Sequence, residues 1–213
     1  SAFGGVLICN RTVDENTAEE ANKIFFEVIL APDYEKTALE ILKSKKNRII
    51  LKKNSYDFPN HQFKSLLNGI IEQDKDESPL SIDEMETVTK LSPDDKMKED
   101  LLFANKAVKH TKSNTIVLVK DQQLVASGVG QTSRVDALKQ AIEKATLFGF
   151  DLKGAVMASD AFFPFADSVE IAHKAGIVSV IQPGGSIRDK DSIEFCDKHG
   201  MSMVCTGKRH FKH

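Results

Sequence analysis

Acidic and flat apolar groups stand together at MASDAFFPF, 157–165. Small residues suited to a strand end run into Asp160, then into Phe162, Phe163, Pro164 and Phe165, with Asp167 and Ser168 just beyond. Aromatic faces flanked by hydrogen-bonding groups suit a flat, partly polar ligand ring. The same residues also suit a hydrophobic staple that seats a helix on a sheet. A second candidate is GVGQTSR, 128–134, with glycines at an expected strand-to-helix turn. Backbone N–H groups, a helix N-terminus and Arg134 can hold an anion there, or Ser133 simply caps the helix while Arg134 is solvated. Asn114 falls where a long helix gives way to a strand. Its carboxamide both donates and accepts, as a reacting carbonyl requires, although asparagine is also an ordinary turn residue. The tail TGKRHFKH, 206–213, gathers cationic and imidazole groups. Basic tails are often solvated, but the Phe211 ring is expected to anchor this one and hold Arg209 and His213 near the sheet edge, where imidazole moves protons near neutral pH.

The elements that must position these residues form a repeated pattern. Apolar runs at 5–10, 27–31 and 48–51 read as strands, with helices expected over 15–25, opened by Asp14, and over 34–45. In the last third, strands are expected at 154–158, 177–181 and 201–205, with helices over 167–175, closed by Gly176, and 190–198, closed by Gly200. Both segments read β-α-β-Pro-α-β, with Pro32 and Pro183 at similar places, as two copies of one α/β unit would. Between them, 65–73 is expected to pair as a short strand, and 74–93, charge-rich with two prolines, reads as an exposed connector. Asp94 caps a helix expected over 95–110, followed by a hairpin of 115–120 and 123–127 turning at Asp121 and Gln122, then a helix over 136–147.

Composition narrows the classes. With 41% hydrophobic and 28% charged residues in 213, the chain is an ordinary globular sequence with enough length for a substantial core. A net charge of −2 and the lack of a basic run with interleaved aromatics argue against nucleic acid as a partner. No apolar stretch approaches the roughly 18 residues of a spanning helix, so no membrane role is expected. Cys9, Cys196 and Cys205 form no CxxC pair and are read as reduced structural thiols, consistent with a cytoplasmic location. A zinc deaminase is disfavoured because the sequence lacks HxE with PCxxC, although α/β/α layering would suit one. The chain opens directly on an apolar run and is read as part of a longer protein.

Six motifs taken in order, SAFGG (1–5), EVILAP (27–32), KSNTIVLVK (112–120), GVGQTSR, SDAFFPF (159–165) and RHFKH (209–213), resemble the transformylase part of the AICAR transformylase/IMP cyclohydrolase family. The match spans nearly the whole chain. It implies an α/β fold of two similar cytidine-deaminase-like α/β/α subdomains, the first incomplete at its N-terminus. On that reading 1–73 is the C-terminal part of the first subdomain, 74–93 the connector and 94–213 the second.

The implied reaction is formyl transfer from 10-formyltetrahydrofolate to the 5-amino group of AICAR, in purine biosynthesis. By the same resemblance Asn114 positions the formyl group and stabilises its oxygen, and His213 is the family's C-terminal active-site histidine. Gly4 and Glu27 line the nucleotide pocket, Arg134 lines the shared site, Phe162 packs on ligand and Arg209 grips the phosphate. Asp167 and Ser186 bond the pterin side, which leaves Phe163 and Phe165 to packing. A potassium ion near Val108, Thr111 and Asp160 occurs in some members. Ser168 stands where the family often has asparagine. The family's lysine-histidine pair and its cyclohydrolase domain lie upstream of SAFGG, so the chain by itself is expected to be inactive, and the family's intertwined homodimer shares sites between subunits. The alternative is a non-catalytic α/β nucleotide-binding or dimerisation module.

Overall fold

The computed structural model describes residues 4–54, 59–77 and 80–212. His213, expected to be catalytic, lies outside the described residues, as do 1–3, 55–58 and 78–79. The chain divides into two compact units, Ser1–Asp74 and Lys75–His213.

In the first unit, β1 (Gly5–Ile8), α1 (Glu15–Asn22), β2 (Phe26–Ala31), α2 (Lys36–Lys43) and β3 (Ile49–Lys52) build a parallel sheet in the order β1-β2-β3. The Asp14 carboxylate accepts from the Thr17 amide at 2.8 Å and caps α1. Both helices are shorter than the sequence suggests. The chain must unwind after Asn22 to bring Phe26 opposite Gly5 in the sheet. At α2, Tyr34 is held extended by a bridge to Val13, with its hydroxyl 2.8 Å from the Leu51 carbonyl oxygen. The helices cover one sheet face, burying Val13, Ala18, Phe26, Ile29, Ala31, Ala38 and Leu42. The other face carries Val6, Ile8, Val28, Leu30, Ile49 and Leu51 in register across the three strands. Val6 and Ile8 there are 63% and 74% exposed.

The stretch expected to pair as one short strand is a complete hairpin, β4 (His61–Leu66) and β5 (Gly69–Asp74). Asn68-Gly69 is a turn signal, and Leu67 takes the positive φ of 46° that the tight reversal needs.

The second unit continues with a single 3₁₀ turn (Ile82–Glu84), β6 (Glu86–Thr87), α3 (Asp95–Lys109), β7 (Ile116–Lys120), β8 (Gln123–Gly128), α4 (Arg134–Leu147), β9 (Val156–Ser159), α5 (Asp167–Lys174), β10 (Ser179–Gln182), α6 (Asp189–His199) and β11 (Ser202–Cys205). Its six-stranded sheet runs β6-β11-β10-β9-β7-β8. β9, β10 and β11 are parallel, while β7, β8 and β6 pair antiparallel with their neighbours. α3 covers one face with Leu101, Ala104 and Val108 against Val117, Val119, Val156, Ala158, Ile181 and Val204. α4, α5 and α6 cover the other, with Leu138, Ala141, Val169 and Cys196 against Ile116, Leu118, Met157, Val180 and Met203. Burial on both faces explains why these strands read as unbroken apolar runs rather than alternating ones.

The segment expected to be an exposed connector is partly built into this unit. Leu80 is buried, β6 pairs with the edge strand β11, and the Thr89 hydroxyl accepts from the Met203 amide at 2.9 Å. Its charges had masked a short edge strand, a place where charged residues are common.

The β7–β8 hairpin turns at Asp121 and Gln122, with φ of 54° and 55°, and the buried Asp100 carboxylate accepts from both of their amides, at 3.0 and 2.6 Å. At the end of β8, a Cβ on Gly128 would stand 1.7 Å from the Ala137 carbonyl oxygen. This glycine serves close contact between strand and helix. Gly128→Ala is expected to destabilise the second unit by about 1–3 kcal/mol or more through overpacking. An unchanged urea midpoint would show that α4 can move away from the strand.

Candidate functional site

The polarity of the second sheet gathers the singled-out segments at one end. β9, β10 and β11 run parallel, so the loops beginning at Asp160, Pro183 and Thr206 leave from the same edge. Ile116 at the start of β7 pairs with Ser159 at the end of β9, and with Gly128 at the end of β8. Asn114 and the 128–134 junction therefore reach that edge too. Ligands of open α/β sheets bind outside the carboxyl ends of their parallel strands.

The C-terminal tail is a strap across this edge. The Thr206 amide donates to the Gln182 carbonyl at 3.0 Å and the Gly207 amide to that of Pro183 at 2.9 Å. The His210 amide donates to the Asp160 carbonyl at 2.9 Å, and Lys212 and Ser113 exchange two bonds, each 2.9 Å. The strap thus touches the ends of β10 and β9 and the residue preceding Asn114. Its side chains alternate, Arg209 outward, His210 inward and Phe211 outward. The sequence reading gave the anchoring role to Phe211, which is 46% exposed; the buried anchor is His210. In an extended segment every second side chain faces the protein, and here the imidazole falls on the inward position. Arg209 lies with its guanidinium carbon 4.9 Å from the centroid of the Phe162 ring.

Asn114 is half-buried, with its backbone paired to Gln131 in both directions. Its side-chain amide nitrogen donates to the Gln131 and Thr132 carbonyls at 3.1 and 3.0 Å. Two carbonyl oxygens facing one carboxamide fix its orientation, since reversal would set oxygen against oxygen. The Asn114 oxygen is the atom left without a partner among the described residues. In this arrangement the side chain offers a ligand an acceptor, whereas the resemblance implies a donor to the formyl oxygen.

Arg134 opens α4 and ion-pairs with Asp160 at 3.2 Å. Ser133 caps the helix, accepting from the Asp136 amide at 3.1 Å. The Asp160 side chain is wholly inaccessible and Arg134's is 15% exposed. The second Asp160 carboxylate oxygen and the Arg134 Nε are buried with no partner among the described residues. The pair therefore supports the fold as well as lining the edge.

Phe163 is fully buried beneath the loop, and the Gln182 side chain accepts from its amide at 3.2 Å. Phe165, assigned to packing by the sequence, is instead 51% exposed, with Arg188 5.0 Å from its ring. Of the three rings only Phe163 is fully buried; Phe162 is half-buried and Phe165 exposed. Asp167 is exposed at the first turn of α5, one carboxylate oxygen accepting from the Ser168 amide at 2.7 Å. Ser186 sits in a loop closed by Asp189, which accepts from the Gly185 and Ser186 amides at 2.7 and 3.0 Å. Cys205, beneath that loop, has its thiol pushed up to about 11 by burial first and by Asp189 and Glu86 next; burial takes Cys196 to about 12. Both remain protonated near neutrality and act as structural thiols.

Val108 and Thr111 close α3, where the Thr111 hydroxyl donates to the Val108 carbonyl at 2.8 Å. Gly4 and Glu27 lie in the first unit. Gly4 has φ of 69°, and a Cβ on it would stand 3.8 Å from a Glu27 carboxylate oxygen. Glu27 also lines a concavity of about 750 Å³ at the amino ends of β2 and β3, formed by 22–27 and 44–48. Arg48 there stacks on Phe26 at 3.9 Å and donates to Asn22 and to the Leu42 carbonyl.

A strap-closed sheet edge carrying two guanidiniums, an aromatic face and an oriented amide defines a candidate site for an anionic, ring-bearing ligand. The family model described as AICARFT/IMPCHase bienzyme matches residues 1–144. The chain is 64% identical over its whole length to the bifunctional purine biosynthesis protein PurH of Bacteroides thetaiotaomicron. It is 51% and 50% identical, also over its whole length, to proteins of the same name from Caldicellulosiruptor bescii and Aquifex aeolicus. It spans 41–42% of the length of these relatives. A solved deaminase/reductase from Thermotoga maritima matches 52% of the chain and 35% of its own at 23% identity, with a TM-score of 0.34. The chain belongs to the AICARFT/IMPCHase bienzyme family.

Removing one member of a buried ion pair leaves the other charge stranded. Arg134→Ala is therefore expected to cost about 3–5 kcal/mol of stability, read as a lowered urea midpoint. An unchanged midpoint would assign Arg134 to ligand alone.

Proposed function

We propose that this chain supplies part of a formyltransferase site, which moves the formyl group of 10-formyltetrahydrofolate to the 5-amino group of AICAR. The observation that carries the reading is the meeting of Asn114, Arg134, Phe162, Asp167, Ser186 and Arg209 at one sheet edge, with the resemblance already attached to those positions. The relatives it matches are named for purine biosynthesis.

The amine is a weak nucleophile, so positioning and charge stabilisation must do much of the work. Arg209, steered by Phe162, binds the nucleotide phosphate, and Gly4 and Glu27 line the nucleotide pocket. Asp167 and Ser186 hold the pterin, Asp167 through its second carboxylate oxygen. Arg134 lines the shared site with its charge already balanced by Asp160. Asn114 in its present orientation accepts a hydrogen bond from the attacking amine; turning the amide over would let it donate to the formyl oxygen. His213 and an upstream lysine-histidine pair move the protons. His210 cannot, because both ring nitrogens are engaged.

The Asp160 oxygen without a partner fits a potassium ion, a cation that takes oxygen ligands. Asp160, Val108 and Thr111 would hold it through their oxygen atoms.

Two cytidine-deaminase-like subdomains, the first incomplete, agree with the shared parallel order β1-β2-β3 and β9-β10-β11. The second sheet has α3 over the face on which the first carries exposed Val6, Ile8, Ile49 and Leu51. A homodimer with sites shared between subunits, acting in the cytoplasm, completes the reading.

The test is formyl transfer by a longer polypeptide that joins this chain to the upstream part of its relatives. Product is expected there and not from the 213 residues by themselves. A folded, dimeric longer polypeptide that forms no product would leave the non-catalytic binding module as the better reading. In the longer polypeptide, Arg209→Ala is expected to weaken AICAR binding at nearly unchanged melting temperature, since the residue is exposed. A large drop in melting temperature would make Arg209 structural instead.

A further inference from the structure

Beneath the strap lies a polar cluster to which neither the sequence motifs nor the proposed reaction assigns a role. His210 is 3% exposed. Its Nδ1 is 2.6 Å from an Asp76 carboxylate oxygen and its Nε2 is 3.2 Å from the Asn105 amide nitrogen. An amide nitrogen only donates, so Nε2 accepts and Nδ1 carries the proton that Asp76 receives. Lys109 stands 3.8 Å from the other Asp76 oxygen. Asn105 and Lys109 belong to α3, and Asp76 opens the second unit. One imidazole therefore joins α3, the start of the unit and the strap.

We propose that His210 is a positioning residue, a latch whose bonds to Asp76 and Asn105 hold the strap across the sheet edge and keep Arg209 over Phe162. The neighbouring bonds make the latch effective. The His210 amide is tied to the Asp160 carbonyl, and Lys212, two residues on, is tied to Ser113, which precedes Asn114. With the imidazole locked inward, the extended backbone must turn Arg209 outward, toward Phe162. Release of His210 frees both Arg209 and the brace on Asn114. The latch stands on this geometry; its consequence for a nucleotide rests on the function proposed above.

Two substitutions separate a hydrogen-bonded latch from simple packing. His210→Leu keeps an apolar filling but loses both bonds, whereas His210→Asn is smaller and retains an N–H for Asp76. The latch predicts that Leu is the worse replacement; packing alone predicts the reverse. In the 213-residue chain, amide exchange at Ser113, His210 and Lys212 is expected to quicken by about tenfold or more in His210→Leu, the scale of a lost bond to a charged group. The upfield ring-current shift that Phe162 imposes on the Arg209 side-chain protons should vanish with it. His210→Asn should retain most of both signals, and Asp76→Ala should reproduce the leucine variant. Equal exchange and an unchanged Arg209 shift in wild type and His210→Leu would overturn the latch, as would a milder effect of Leu than of Asn.

AICAR titration of the longer polypeptide then reads the consequence. Dissociation about tenfold weaker in His210→Leu than in His210→Asn is expected, and equal affinities would overturn the positioning role. Failure of all three forms to bind AICAR, with the Arg209 shift behaving as expected, would count against the function reading and leave the latch standing.

Discussion

The hydrogen-bond polarity of the β9–β10–β11 ladder is the constraint on which the rest of the second unit depends. Parallel strands must each be followed by a crossover, so every loop after a strand leaves from one edge. α5 and α6 form the crossovers, and their packing on one face, opposite α3 on the other, keeps the ladder dry. The antiparallel pairing of β7 with β9 then delivers Asn114 to that edge from the opposite chain direction. β8, antiparallel to β7, runs in the direction of β9, so its carboxyl end delivers Arg134 to the same edge. Residues from five stretches of sequence meet because of strand direction.

What the edge gathers, the strap closes. Its backbone adds hydrogen bonds at the strand ends, where loop groups would otherwise turn to water. Fold and ligand roles are not separate here. Arg134 both pairs with a buried acid and faces the edge, Gly128 exists for the approach of α4, and Phe163 is core while its neighbours are not. Such double use is expected where a site is built directly on sheet ends, since the same loops must end the core and begin the pocket.

The first unit has the same ladder order with half the covering. Its helices bury one face, and six apolar side chains stand in register on the other. Contiguous exposed apolar surface of this kind is uncommon on monomeric proteins. The chain spans 41–42% of the length of the relatives it matches.

Much of this was legible from residues alone. Apolar runs marked the strands, Asp14, Asp94 and Ser133 marked helix starts, and the paired β-α-β-Pro-α-β pattern marked the repeated unit. These are local signals, each carried by a few neighbouring side chains. The motif series pointed to the family. Less legible was everything set by contacts distant in sequence. The unwinding of α1 and α2 depends on sheet register, and β6 depends on the free edge of β11. The anchor of the tail depends on which side of an extended strap faces inward, which made His210, rather than Phe211, the buried residue. Its partners Asp76 and Asn105 lie 134 and 105 residues away. The orientation of the Asn114 amide is decided by two carbonyls from the 128–134 junction. Sequence by itself determined the elements, the repeat and the family, because periodicity, capping and motif order are written along the chain. Only the tertiary structure decided the strap, the Arg134–Asp160 pair and the atom that Asn114 offers, because hydrogen bonds and burial depend on which distant groups folding brings within about 3 Å.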